Sequence, residues 1–244
     1  MLTEAPGTIA LPTSEVGRFA LFTIALASTI QPPNTCLQVT ASASVTENVN
    51  QVMRQLRDED EWCWIMGDDH CWPRDTLMVM LQEMDENPEV DILVPLVVRR
   101  NPPWAIGLFH EIGTKDAKGN ALFMTYTYEE IPEEGIFEID AAGSAGMLIR
   151  RRVIDMIPDP WFYSTMDNEG RQVVLNEDVT FCTRARHDYG LKIHATTRAT
   201  LGHLGIFNVR PLRREGRWGA LTEFSSAEEQ FRSLFMPVET AHAH

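Results

Sequence analysis

The segment WIMGDDHCWPRD, residues 64–75, places two aspartates and a histidine between apolar residues. Asp68 and His70 directly follow an apolar run, so a carboxylate oxygen and an imidazole nitrogen could bind one divalent cation together. The alternative is a polar turn in which the aspartates accept hydrogen bonds from backbone amides. Both interpretations fit the isolated pattern.

A second histidine, His203, lies between glycines in the segment LGHLG, residues 201–205. Glycines on both sides allow the backbone to approach a ligand closely. With Asp68 and His70, this histidine would complete a set of two imidazoles and one carboxylate, the type of site that divalent metals occupy. A purely structural histidine is the alternative.

The segment NEDV, residues 176–179, places Glu177 and Asp178 in the first turn of a predicted helix. Acidic residues in that turn stabilise a helix by complementing its dipole. A carboxylate at the same position could instead act as a general base that removes a proton from a hydroxyl group.

Two further segments contain residues that could bind a substrate. AAGSAG, residues 141–146, is a small-residue turn that forms either a tight bulge or a surface where a sugar lies against the backbone. The segment NVRPLRREGRW carries arginines that could bind a diphosphate or could form a solvated basic loop. These arginines are Arg210, Arg213, Arg214 and Arg217.

Strands and helices alternate over the first hundred residues. Apolar runs predict strands at 8–14, 36–42, 62–67 and 90–100, and periodicity predicts helices at 15–29, 46–60 and 73–87. The first helix is expected to be largely buried, and Thr46 is expected to cap the second. This order predicts an α/β fold, a mostly parallel sheet with helices on both faces. Ligands bind beyond the carboxyl ends of such strands, where GDDH and PTSE lie.

The remainder of the chain is less regular. Residues 101–134 are predicted to form loops and short antiparallel strands, and residues 136–162 a strand, a turn, a strand and a short helix. A helix follows, with Asn176 as its N-cap and Gly190 after its last turn. Residues 191–197 are the last predicted strand and lead into LGHLG.

Composition limits the classes of function. The chain has 244 residues, a net charge of −14 and four cysteines without a CxxC pair. The acidic balance disfavours a nucleic-acid-binding protein, and an anionic substrate would need a local positive centre. The apolar stretch from Phe19 to Ile30 is too short to span a bilayer, and no leader pattern is visible. We therefore expect a cytoplasmic protein with reduced thiols.

The motifs and their order resemble those of the nucleotide-diphospho-sugar transferase superfamily, the GT-A glycosyltransferases, and most closely glycosyltransferase family 2. The resemblance runs from IALPTS through WIMGDDHCWPRDTL, DAAGSAGMLIRRRVI and NEDVTFCTRARHDYGLKI to LGH, roughly Ile9 to Gly205. It implies one GT-A-like domain over residues 1–244. A nucleotide-sugar-binding half would cover about 8–100, a smaller acceptor-side catalytic half about 101–205, and an extension 206–244.

The resemblance also implies a metal site. The acidic motif corresponds to the D-x-D that holds a metal on the donor diphosphate, and in this sequence it is D-x-H, Asp68 to His70. That variant is similar to the motif of polypeptide N-acetylgalactosaminyltransferases and makes His203 the third ligand of Mn²⁺ or Mg²⁺. In another register Asp69 is the motif aspartate, so the ligating carboxylate, Asp68 or Asp69, stays open.

Further roles follow from the same resemblance. Asp178 matches the catalytic base of inverting members, with Glu177 beside it, and Gly143 and Ser144 match the lining of the sugar pocket. The donor nucleotide and its diphosphate would be bound by residues of the first loop and the acidic motif. Charge, rather than the resemblance, adds an arginine beyond Gly205 as a candidate for the diphosphate. These residues are Pro12, Thr13, Ser14, Glu15, Asp68, Asp69 and Arg210. The family's aspartate after the second strand has no counterpart in VTASAS.

The implied activity is a metal-dependent, hexosyltransferase-like transfer of a sugar from a UDP- or GDP-sugar to an acceptor hydroxyl, with inversion. The D-x-H motif itself resembles that of retaining enzymes, so the stereochemistry stays open. The alternatives are a non-catalytic sugar- or partner-binding protein of this fold and an oxygenase that uses Asp68, His70 and His203. A sugar nucleotidyltransferase is disfavoured because PTSEVGR lacks a basic, glycine-rich signature.

Overall fold

The computed structural model of the protein describes residues 1–13, 19–41, 44–100, 104–115, 121–166, 169–205, 208–224 and 232–236. Its helices are α1 Ala20–Ser28, α2 Val45–Arg54, α3 Thr76–Glu86, α4 Arg151–Met156 and α5 Glu177–Tyr189, with 3₁₀ turns at Leu2–Glu4 and Tyr128–Glu130. Its first eight strands are β1 Gly7–Pro12, β2 Thr35–Thr40, β3 Trp62–Ile65, β4 His70–Cys71, β5 Ile92–Val97, β6 Leu108–Lys115, β7 Ala121–Thr125 and β8 Ile136–Ile139. The others are β9 Ala141–Ala142, β10 Met147–Arg150, β11 Thr165–Met166, β12 Val173–Leu175, β13 Ile193–His203, β14 Asn208–Arg214, β15 Arg217–Phe224 and β16 Arg232–Met236.

A large mixed sheet forms the centre of this α/β fold. Its strand order is β2-β1-β3-β10-β5-β13-β14-β15-β16, and β4 and β8 also pair with β13. Strands β2, β1, β3, β5 and β13 run in one direction, because β10 lies antiparallel between β3 and β5. The carboxyl ends of these five strands therefore share one edge of the sheet, as the sequence predicts.

The sheet is less parallel than the sequence predicts. Strand β10 enters the centre antiparallel, because a tight turn at residues 143–146 sends the chain back beside β3 and β5. Residues 191–197 are also not the last strand: β13 continues to His203, and the antiparallel strands β14, β15 and β16 extend the sheet beyond it. LGH is therefore the end of a strand.

Two helices differ from their predicted form. The N-cap of α2 is Ser44 rather than Thr46, and its side chain accepts a hydrogen bond of 3.1 Å from the Glu47 amide. In α1, only Phe22 and Ala25 are buried, while Ile24 is 61% exposed. The expectation of a largely buried first helix is therefore wrong. Apolar residues lie on several faces of the helix, but only one face packs against the rest of the protein.

The core consists of two apolar clusters that share the strands. Alternate residues of β3 contribute to different clusters, Cys63 and Ile65 to one and Trp62 and Trp64 to the other. Residues of α2, α4 and α5 pack in the first cluster, and residues of α1 and α3 pack in the second. Among the described residues no helix is long and apolar enough to cross a membrane.

A three-stranded antiparallel sheet consists of β7, β6 and β9. Strands β6 and β7 fall within residues 101–134, predicted to hold short antiparallel strands, whereas β9 lies beyond them. The small-residue turn connects strand β9 to β10 of the main sheet. In this turn the Gly146 amide donates to the Ile65 carbonyl (2.8 Å), and the Trp64 indole donates to the Gly146 carbonyl (2.9 Å). The turn is thereby held against the end of β3.

Gly146→Ala should destabilise the protein. Gly146 has φ +75°, and a Cβ there would lie 2.5 Å from Pro95 Cγ and 2.8 Å from Leu201 Cδ1. We expect the free energy of unfolding to fall by about 2–4 kcal/mol, measured by urea denaturation. Gly216→Ala is the matched control, since φ there is +79° but nothing lies within 4 Å. It should cost only about 1 kcal/mol; equal losses in the two variants would show that packing around Gly146 is not the cause.

Candidate active site

The pairing of β4 with the end of β13 places two histidines opposite each other. His70 is the register partner of His203, and the Leu204 amide donates to the Asp69 carbonyl at 2.7 Å. Directly opposed residues of an antiparallel pair project to the same face of a sheet. The two imidazole rings accordingly stack, with centroids 4.3 Å apart and planes inclined by 29°.

The Asp69 carboxylate bridges one ring nitrogen of each imidazole. Its Oδ1 is 2.8 Å from His70 Nδ1, and its Oδ2 is 3.2 Å from His203 Nε2 and 3.3 Å from Arg100 Nη1. One potential ligand atom from each of Asp69, His70 and His203 lies within 4.8 Å of the other two. Two imidazole nitrogens and a carboxylate oxygen at this spacing suit a divalent transition metal.

The hydrogen bonds of the histidines fit a metal between them. His203 Nδ1 lies 3.1 Å from the Val98 carbonyl, which can only accept, so this nitrogen carries the proton. When His203 is neutral with its proton on Nδ1, its Nε2 lone pair points at Asp69 Oδ2. Two lone pairs repel each other, so a proton or a metal cation between these two atoms would stabilise the contact. His70 Nε2 is buried without a hydrogen-bond partner in the described part of the chain. Both nitrogens are therefore available as ligands.

The protonation states of this cluster also suit metal binding. Burial lowers the pKa of His70, which favours the neutral imidazole that ligates metals. Burial acts to raise the pKa of Asp69, but the contacts with His203 and His70 outweigh it and hold that pKa well below its ordinary value. At neutral pH the carboxylate is ionised.

Gly67 provides the space that this cluster occupies. A Cβ at Gly67 would lie 2.9 Å from His70 Nδ1 and 3.1 Å from Asp69 Oδ1. Any larger side chain would therefore displace the histidine or the carboxylate. The glycine before the acidic motif is thus a requirement of its geometry.

Asp68 does not lie with the two histidines. Its Oδ2 accepts a hydrogen bond from Thr13 Oγ1, at the end of β1. Adjacent residues of the turn between β3 and β4 direct their side chains to different neighbours, so only one aspartate can reach the imidazoles. The set of Asp68, His70 and His203 is therefore corrected to Asp69, His70 and His203.

A cavity of about 620 Å³ connects this cluster with the other predicted motifs. It is lined by the Asp69, His70 and His203 cluster, by Gly143 and Ser144 of the small-residue turn, and by Glu177 and Asp178 of α5. Arg99 and Arg100 also line it, although the sequence analysis did not select them. They follow β5 directly, so the rule that ligands bind at strand carboxyl ends could have found them.

Asp178 is a partly buried carboxylate in the first turn of α5. Burial raises its pKa to about 6; the Val179 amide, which donates to Oδ1 at 2.7 Å, lowers it, and the neighbouring Glu177 raises it. A Cβ on Gly143 would lie 3.7 Å from Oδ2, so this oxygen lies beside the small-residue turn, and the glycine leaves space next to it. Asn176 occupies the predicted N-cap position without a capping side-chain hydrogen bond.

An ion-pair network attaches the small sheet to α5. Arg186 lies 2.5 Å from Asp140 and 3.2 Å from Glu111, and His187 lies 2.6 Å from Glu111. Glu111 is in β6, and Asp140 immediately precedes β9. Because β6 contributes Phe109 to the cavity wall, these pairs fix that wall relative to Asp178.

Other predicted site residues lie away from the cavity lining. Pro12 and Thr13 are buried at the end of β1, where the Thr13 amide donates to the Thr40 carbonyl, and Ser14 and Glu15 lie outside the described residues. Arg210 lines a different groove, beside Leu21 and Trp72. The structure therefore does not bring Arg210 together with Asp69, His70 and His203.

The fold resembles two solved structures. No family model matches the chain, and no curated protein matches it. A197 from STIV is 11% identical, with a TM-score of 0.55 over 84% of this chain and 88% of that chain. GalNAc-T7 with UDP, GalNAc and Mn²⁺ is 10% identical, with a TM-score of 0.54 over 88% of this chain. The matched part is 45% of the GalNAc-T7 chain, so this protein spans less than half of it.

These likenesses concern the fold alone, because identities of 10–11% are too low to carry an activity. The likeness in fold to GalNAc-T7 is compatible with the GT-A-like fold expected from the sequence. Membership of glycosyltransferase family 2 stays a prediction.

Asp178→Asn should stabilise the protein in a pH-dependent way. The pKa of Asp178 is about 6 in the folded protein and 3.8 ordinarily, so its ionisation costs stability as the pH rises from about 4 to 6. Asparagine keeps the side-chain shape without the charge. The free energy of unfolding of the variant, relative to wild type, should rise by up to about 3 kcal/mol over that range and stay constant above it.

Denaturant unfolding at pH 4, 5, 6 and 8 measures this difference. Asp188→Asn, at the exposed far end of α5, removes one carboxylate from the same helix and is the control. If Asp188→Asn shows the same dependence on pH, net charge rather than the burial of Asp178 is responsible.

Proposed function

We propose that the protein is a metal-dependent glycosyltransferase that transfers a sugar from a nucleoside-diphosphate sugar to an acceptor hydroxyl. One observation carries the proposal. The Asp69, His70 and His203 cluster and a partly buried carboxylate, that of Asp178 with a pKa of about 6, line the same cavity at the carboxyl edge of the sheet. Metal-type ligands and a general base within one cavity are the groups that this transfer needs.

Asp69, His70 and His203 would hold Mn²⁺ or Mg²⁺, and Mn²⁺ is favoured because two of the three ligands are imidazoles. When bound, the ion would supply Lewis-acid neutralisation of the negative charge that develops on the leaving diphosphate. The likeness to GalNAc-T7 supports this choice, since that structure contains UDP, GalNAc and Mn²⁺. A UDP- or GDP-sugar is the proposed donor.

Asp178 would act as the base. With a pKa of about 6 it is ionised at neutral pH yet still basic enough to accept a proton. The Val179 amide occupies Oδ1, which leaves Oδ2 to take the proton of the acceptor hydroxyl. As the hydroxyl oxygen forms its bond to the anomeric carbon, the bond from that carbon to the diphosphate oxygen breaks, and the configuration inverts.

The remaining parts of the proposal follow from position. Gly143 and Ser144 line the cavity beside Asp178 and would contact the transferred sugar or the acceptor. Thr13 donates a hydrogen bond to Asp68 just beyond the carboxyl ends of β1 and β3. The nucleotide would bind there, and Pro12, Ser14 and Glu15 would also contact it. We further propose a single cytoplasmic domain over residues 1–244 that acts in this way.

The metal site predicts how single substitutions change metal and nucleotide binding. Mn²⁺ together with UDP or GDP should raise the melting temperature of the wild type by several degrees. His203→Ala and Asp69→Asn should each reduce Mn²⁺ affinity at least tenfold, because each removes one ligand. Asp68→Asn is the matched control and should keep the affinity for Mn²⁺ alone, since its partner is Thr13.

Thermal shift and isothermal titration calorimetry with Mn²⁺ alone check these expectations. A wild type that no nucleotide stabilises, with or without Mn²⁺, would overturn the proposed activity. Loss of Mn²⁺ binding in Asp68→Asn but not in Asp69→Asn would overturn the ligand assignment.

The proposed base predicts a separation of binding from transfer. Asp178→Asn should keep donor affinity within about twofold and reduce kcat by about 10²–10⁴, because proton transfer contributes that factor. In the wild type, kcat/KM should fall as the pH drops below about 6, where Asp178 becomes protonated. Donor titration and product formation over pH 5–8 measure both, and unchanged turnover in Asp178→Asn would show that another group is the base.

A further inference from the structure

Arg100 lines the cavity just beyond the end of β5. Its guanidinium contacts a carboxylate oxygen of the Asp69, His70 and His203 cluster. Its Nη1 lies 3.3 Å from Asp69 Oδ2, the same oxygen that faces His203 Nε2. An arginine side chain is always protonated, so Arg100 is the permanent countercharge of this carboxylate. About 43% of the Arg100 side chain is exposed, compared with 24% for Asp69.

A divalent cation on this cluster would compete with the guanidinium. Both need the lone pairs of Asp69 Oδ2, and two positive charges a few Å apart repel each other. Metal binding therefore requires Arg100 to leave Asp69. The exposure of Arg100 makes this movement inexpensive, since exposed ion pairs contribute little stability.

The released arginine would remain beside the cavity, because it lines the cavity together with Arg99. A guanidinium without a carboxylate partner binds phosphate oxygens well, through paired N–H donors. In a chain of net charge −14, the two arginines provide local positive charge for a diphosphate.

We propose that Arg100 is a coupling residue that neutralises Asp69 while metal is absent and contacts the donor diphosphate once metal is bound. This inference rests on the proposed function. Metal and diphosphate then bind cooperatively: metal alone must break the Arg100–Asp69 pair, whereas metal with diphosphate provides Arg100 with a new partner. Such coupling is reciprocal, so each ligand raises the affinity for the other.

Arg99 differs from its neighbour and provides the matched control. It also lines the cavity, but its guanidinium carbon lies 5.7 Å above the centre of the Phe109 ring. That stacking leaves Arg99 without a role in neutralising Asp69. Substitution of Arg99 should therefore change metal affinity much less than substitution of Arg100.

The test compares Arg100→Met, Arg99→Met and wild type in the full chain. Mn²⁺ affinity is measured by calorimetry and by electron paramagnetic resonance, first with Mn²⁺ alone and then with saturating UDP or GDP. Arg100→Met should bind Mn²⁺ alone about three- to fivefold more tightly than wild type, because the competing cation is gone. With nucleotide present it should bind the nucleotide about tenfold more weakly.

Arg99→Met should change the affinity for Mn²⁺ alone by less than twofold. Arg100→Lys keeps the positive charge, so its affinity for Mn²⁺ alone should stay near that of wild type. Far-ultraviolet circular dichroism melting confirms that each variant is folded. If wild type binds Mn²⁺ and nucleotide but Arg100→Met binds Mn²⁺ no more tightly, the coupling role is wrong and the proposed function stands. If wild type binds neither, the proposed function itself fails.

Discussion

The Asp69 carboxylate is the charge on which the arrangement of this edge of the sheet depends. Two imidazoles and a guanidinium converge on its oxygens, and their convergence requires the pairing of β4 with the end of β13. A shift of that pairing by one residue would turn His203 to the opposite face. The register of β13 against β5 shifts between Thr196 and Thr200. This shift fixes which residue of β13 lies opposite His70. Pro95 lies at this point in β5, and because it has no N–H to donate, the loss of register costs no hydrogen bond there.

Burial of Asp178 connects stability with chemistry. The carboxylate lies beside the small-residue turn at the start of α5, and its partial burial raises its pKa to about 6. An exposed aspartate would be a weaker base at neutral pH. Because of the same burial, ionised Asp178 lowers the stability of the folded protein. Functional sites often reduce stability in this way. The Arg186 pairs with Asp140 and Glu111 offset part of this cost, because they hold the small sheet against α5.

The sequence predicts the local parts of the structure better than the long-range ones. Alternation and periodicity locate β1, β3 and α5; strand ends point to His70 and His203, and the first turn of a helix points to Asp178, all three of which line the cavity. The choice between Asp68 and Asp69 could not be made, because it depends on which side chain of a turn meets β13, more than 130 residues later. The antiparallel insertion of β10 is long-range in the same way. Arg99 and Arg100 were missed for a different reason, since a basic pair after a strand is usually solvated.

Charge explains why a candidate metal site and two arginines lie together at this cavity. A net charge of −14 creates a field that attracts cations and repels nucleoside diphosphates. Screening limits that field to about 8–10 Å at physiological ionic strength, so charges that line the cavity dominate within it. On the proposed function, the acidic surface favours arrival of the metal, and the metal frees a guanidinium for the anion that the rest of the chain repels. Arg100 is then available to a diphosphate only when the metal is also bound, which would weaken retention of a diphosphate without it.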